Sequence, residues 1–192
     1  MSEPASLVMQ CRITLDGLRR SLAAREPRVS DWGDWDQLGI TLAPHEIAEM
    51  DQRSGAGIGD LLRRLRASAE RPADWLCAYD PGSLTLSVGQ VLFSDNWLTI
   101  LPVLAVLRRL GGFMAEHGEA GVILVQDWVF GHRGTMAAVS LFPGGSAVRV
   151  PDDPEWDVEG FAASILSPLR DAVSAGRLAP VRDDLDMLLG RD

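Results

Sequence analysis

His45, Glu46 and Glu49 fall within about one helical turn, the nearest approach in this chain to a metal signature. A zinc protease places histidines at i and i+4 so that both imidazoles leave one helix face. Here Glu49 takes the second position, so a metal would need His117 or His132, the only other histidines. Ordinary charges on an exposed helix explain the triplet without a metal, and neither a metal site nor a cofactor is expected. Gly55-x-Gly57-x-Gly59 resembles part of a dinucleotide loop but lacks the preceding strand and the G-x-G-x-x-G spacing. It reads as a helix–helix linker. Gly131-His132-Arg133-Gly134 has the G-x-x-G form of a KH loop, yet it joins two expected strands rather than two helices. The acidic run Asp152, Asp153, Glu155, Asp157 and Glu159 lacks calcium-loop spacing.

No nucleophile stands out. There is no G-x-S-x-G elbow, and Cys11 and Cys77 form no C-x-x-C. All 18 basic residues are Arg, which excludes a lysine Schiff base, a P-loop lysine and a lysine general base. No catalytic residue is assigned. What does recur is tryptophan after an acidic or amide residue: Asp31-Trp32, Asp34-Trp35, Asp74-Trp75, Asn96-Trp97, Asp127-Trp128 and Glu155-Trp156. Trp has a large apolar body and one N–H, which suits places where buried surface meets water, interface anchors included. The plainer reading is strand starts and loop edges. The sharper one is an acidic, aromatic-rimmed binding face made of Trp32, Asp34, Trp35, Asp36, Trp128, Asp152, Asp153 and Trp156.

Charge bears on the partner. The 192 residues carry 27 acidic against 18 basic side chains, a formal −9. Residues 31–54 and 136–192 each sum to −5. Phosphate binding depends on cationic side chains, so nucleic acid is not an expected partner and a basic protein is. Residues 1–4 show no basic leader followed by an apolar stretch. The most apolar run, 97–107, is about half the length a membrane span needs. The expectation is a cytoplasmic protein that does not enter a membrane.

The elements that would position these residues follow from periodicity. Strands are expected at 6–14, 75–79, 84–93, 121–130, 135–142 and 147–150, and helices at 15–26, 43–52, 60–70, 95–110 and 161–175, with a short one within 181–189. Residues 80–83 make a hairpin turn. Helix 95–110 is apolar almost all round and should be buried. Strands grouped with helices between them indicate an α+β fold: one domain over 1–192, with a mostly antiparallel sheet and helices mainly on one face. Its segments are 1–72, the central sheet 73–150, and a helical 151–192. The expected core includes Leu86, Val88, Val91, Leu101, Leu104, Leu107, Val122, Leu124, Val139 and Leu141.

Within residues 35–47, Leu38-Gly39-x-x-Leu42-Ala43-Pro44 resembles the opening of SUKH-type domains, many of which are bacterial immunity proteins. The pattern covers a small part of the chain and carries no site residue with it. The functional expectation is a non-enzymatic cytoplasmic module that binds a basic protein, as an inhibitor or an immunity-type neutraliser does. The alternative is a small hydrolase or transferase whose site is assembled from distant residues: His45, His117, His132, Asp127 and the acidic loops.

Overall fold

The computed structural model of the chain describes residues 4–25, 27–53, 57–114, 118, 120–127, 134–149 and 158–190. Six strands form one sheet: β1 (Ala5–Arg12), β2 (Trp75–Asp80), β3 (Thr85–Ser94), β4 (Gly121–Gln126), β5 (Thr135–Phe142) and β6 (Gly145–Arg149). Their order is β2-β3-β1-β4-β5-β6, and every neighbouring pair is antiparallel. β1 is central because it is apolar on both faces. Leu7, Met9 and Cys11 point one way and Val8 the other, and all are buried. With the helices below, this is an α+β fold.

Four helices cover the first face. They are α1 (Leu15–Ala23), α2 (Pro44–Arg53), α3 (Ile58–Ser68) and α4 (Trp97–Arg108). Thr14 caps α1 through its hydroxyl, which accepts the Gly17 amide, and Asn96 caps α4 by accepting the Leu98 amide. α3 buries Ile58, Leu61, Leu62 and Leu65, the 3–4 spacing of a one-sided helix. α4 is buried on most of its circumference, as its all-round apolar sequence requires, and packs against α2 and α3 as well as the sheet. Pro102 lies in its second turn, inside the helix. After α4 the chain tightens into a 3-10 turn, Arg109–Phe113, packed on the β5–β6 hairpin. Gly111 makes that contact possible: a Cβ there would collide with the Gly145 carbonyl oxygen.

Among the described residues, α5 (Val158–Ser174) is the helix on the second face, with Ala162, Ile165, Leu166 and Leu169 over Val8, Leu76, Val91, Leu124 and Ala138. Gly89 lets it approach; a Cβ there would come within 2.9 Å of Leu169 and 3.0 Å of Ile165. The expected core is therefore divided. Leu86, Val88, Leu101, Leu104, Leu107, Val139 and Leu141 belong to the helical layer, Val91 and Leu124 to the α5 side, and Val122 is only half-buried there.

Most boundaries fall near expectation. In the tail, α6 (Leu185–Leu188) is the short helix expected within 181–189. The residues before it lie along the outer edge of β2, where Cys77 N–H donates to the Arg182 carbonyl at 3.0 Å and Asp184 N–H to the Cys77 carbonyl at 2.7 Å. Pairing with a sheet edge competes there with helix formation. β4 ends at Gln126, and residues 128–130 of the expected longer strand lie outside the described set. Among the described residues no helix is long and apolar enough to cross a membrane.

Candidate functional site

The acidic, tryptophan-bearing segment closes around an arginine. Two short 3-10 turns, Val29–Asp31 and Trp35–Leu38, shape it. Asp31 accepts the Arg28 amide at 2.8 Å, and Asp51 of α2 accepts the Ser30 amide at 3.3 Å, which ties α2 to this segment. Arg108, in the last turn of α4, reaches in from the core. Its Nη1 and Nη2 donate to Oδ1 and Oδ2 of Asp34 at 2.7 and 2.8 Å, and its Nε donates to Ser146 Oγ at 2.9 Å. The guanidinium carbon sits 4.2 Å from the Trp32 ring centroid and 4.8 Å from that of Trp35. Both indoles are themselves anchored: Trp32 N–H donates to the Ala105 carbonyl and Trp35 N–H to that of Val29.

The electrostatics agree with this geometry. Burial opposes the charged form of Asp34. The hydrogen bond from Arg108, the Val148 amide at 3.1 Å and the guanidinium charge outweigh it, holding the carboxyl below the usual carboxylate range. The planar guanidinium forks to both carboxylate oxygens while lying over aromatic rings, a combination that an ammonium could not match.

Of the expected binding residues, the structure thus brings Trp32, Asp34 and Trp35 together around Arg108. Trp35 is buried and Trp32 half-buried, while Asp36 is exposed. Trp128, Asp152, Asp153 and Trp156 lie outside the described residues. Asp31, His45 and Glu49 are exposed nearby in the chain. Of the other pairs, Trp75 is fully buried and Trp97 half-buried, and Asp74 caps its own turn by accepting the Arg71 amide at 3.0 Å. Arg108 is the residue that sequence reasoning missed. The available signal was an arginine pair, Arg108-Arg109, at the end of an apolar helix that is buried on most of its circumference.

His117 and His132 also lie outside the described residues. Among the described residues no group of three His, Cys, Asp or Glu side chains is placed to hold a metal ion. Cys77 is buried, and burial together with the charges of Asp183 and Asp184 pushes its thiol up to about 12, which makes it a poor nucleophile. One oxygen of Asp127 is buried without a hydrogen-bond partner, as are both amide atoms of neighbouring Gln126. A separate hollow of about 480 Å³ lies on the part of the second face that α5 leaves open, with Arg12, Val122, Ser140, Arg149 and Phe161 among its lining. No family model, curated protein or solved structure matches this chain.

Proposed function

We propose that the protein is a non-enzymatic cytoplasmic module that binds a basic protein, acting as an inhibitor or immunity-type neutraliser, through the acidic surface of residues 31–51. The observation that supports this reading best is the Arg108 clamp. It fastens the backbone of residues 32–35 to the core, so Asp31 and Asp36 are carried on a rigid base with the exposed Glu49 of α2 close behind in the chain. A preorganised surface loses less entropy on binding than a mobile loop does. Its negative charge steers a cationic partner, and the accessible part of Trp32 offers apolar contact area. Trp128, Asp152, Asp153 and Trp156 enter the proposal from sequence alone.

The test is capture from the native cytoplasm at low and moderate salt, with Asp36→Arg/Glu49→Arg as the comparison. Neither residue takes part in the clamp, and a melting curve of the variant establishes that it folds before binding is compared. A stoichiometric basic partner held by the unaltered chain and lost by the variant supports the proposal. Absence of any partner, or equal retention by the variant, counts against it.

A further inference from the structure

The hollow that α5 leaves on the second face has a polar floor and cationic sides. Gln10, Val122 and Ser140 are direct cross-strand partners in β1, β4 and β5, so their side chains leave the same face side by side. Phe161, in the first turn of α5, and the exposed Phe142 add aromatic surface. Two exposed arginines flank this floor from opposite sides. Arg149 of β6 donates its Nε to Ser140 Oγ at 2.9 Å, and Arg12 of β1 donates Nη1 to the Gly118 carbonyl at 3.4 Å. Neither meets a carboxylate among the described residues, whereas Arg66, Arg108 and Arg182 each do. None of the twelve lining residues is acidic, in a chain with 27 acidic side chains. The hollow thus carries the opposite sign to the chain as a whole.

We infer that this hollow binds a small organic anion, a carboxylate or phosphate group carried on an apolar, aromatic body. The bond from Nε to Ser140 steadies the Arg149 guanidinium and leaves both terminal nitrogens to fork to the anionic group. Arg12 adds a second cation, and Val122, Phe142 and Phe161 offer the body apolar contact. Gln10 and Ser140 place neutral hydrogen-bonding groups between the two charges. The volume of about 480 Å³ is that of a pocket for a small molecule. The hollow lies across the sheet from α2, so this inference does not depend on the proposed binding of a basic partner.

Three probes with one body test it: naphthoate, naphthyl phosphate and uncharged naphthol, each titrated at neutral pH into the isotope-labelled chain while its amide NMR shifts are followed. The variants are Arg12→Gln/Arg149→Gln and, as a control with a charge removed outside the hollow, Arg177→Gln. All three arginines are exposed, so folding should survive, and unchanged shifts away from the hollow check that it does. The expected result is saturable movement of the Gln10, Val122 and Ser140 amides with an anion, the tighter of the two anions naming the head group. Naphthol should bind the unaltered chain, and the anion the double variant, at least about tenfold more weakly. Arg177→Gln should bind as the unaltered chain does. The inference is overturned if neither anion gives saturable shifts at millimolar concentration, or if the shifts centre elsewhere. It is equally overturned if naphthol binds as tightly as the anions, if the double variant keeps full affinity, or if Arg177→Gln loses as much.

Discussion

Arg108 grips Asp34 with both terminal nitrogens, at 2.7 and 2.8 Å, although 74 residues separate them and only 2% of the arginine side chain meets solvent. A buried guanidinium is tolerable only when it is paired and hydrogen-bonded. Here Asp34 and Ser146 accept from its nitrogens, and its central carbon lies over the Trp32 and Trp35 rings. The acidic-aromatic stretch therefore serves first as internal structure, and its rigidity is what the exposed carboxylates inherit.

Breaking one side of that pair leaves the other charge buried. Arg108→Ala is expected to destabilise the fold by about 3–5 kcal/mol. Arg108→Lys should recover little of this, since an ammonium can neither fork to both oxygens nor stack on the rings. Urea unfolding measures both. A lysine variant as stable as the unaltered chain would mean that charge alone matters.

The clamp also sets an acid limit. The folded-state pKa of Asp34 lies below its ordinary value of 3.8, so its contribution is fully present above about 3.8 and is lost as pH falls through the lower folded value. Asp34→Asn lacks that contribution at every pH. The stability gap between the unaltered chain and Asp34→Asn should be constant near neutrality and shrink below 3.8. A gap that widens on acidification would reverse the sign and refute the assignment.

Leu104 is fully buried in the middle of α4, between the sheet and the other helices. Leu104→Ala is expected to cost about 2–5 kcal/mol, the lost burial plus the cavity left behind. A loss within error of zero in urea unfolding would remove α4 from the centre of the core.

The Cys77 thiol should resist alkylation in the native state. With its pKa pushed up to about 12 and its sulfur buried, little thiolate is present near neutrality. Iodoacetamide labelling followed by peptide mass spectrometry should modify Cys77 many-fold more slowly in buffer than in urea. Equal rates would contradict both the burial and the raised pKa.

Local patterns carried most of the architecture. The apolar run at 121–126, the turn at 80–83 and the all-round apolar helix ending at Arg108 each announce themselves in the sequence, because strand alternation and helix periodicity are local properties. The partner of Arg108 does not. Its neighbours come from residues 32–35 and 146, brought together by the strand order, and no spacing along the chain encodes that meeting. Val91 and Leu124 were equally ambiguous: periodicity marks them as inward, but only the packing of α5 on the second face decides which core they join. Val122 is half-buried because α5 leaves its part of the face open, which nothing in strand β4 itself could reveal.

The most direct measurement of the central proposal is the affinity of the captured partner, followed across salt concentration for the unaltered chain and for Asp36→Arg/Glu49→Arg. Binding through the acidic surface should weaken steadily as salt rises and fall at least about tenfold in the charge-reversed chain, compared under conditions where both chains are folded. An affinity that is indifferent to salt and identical in the two chains would contradict the proposal.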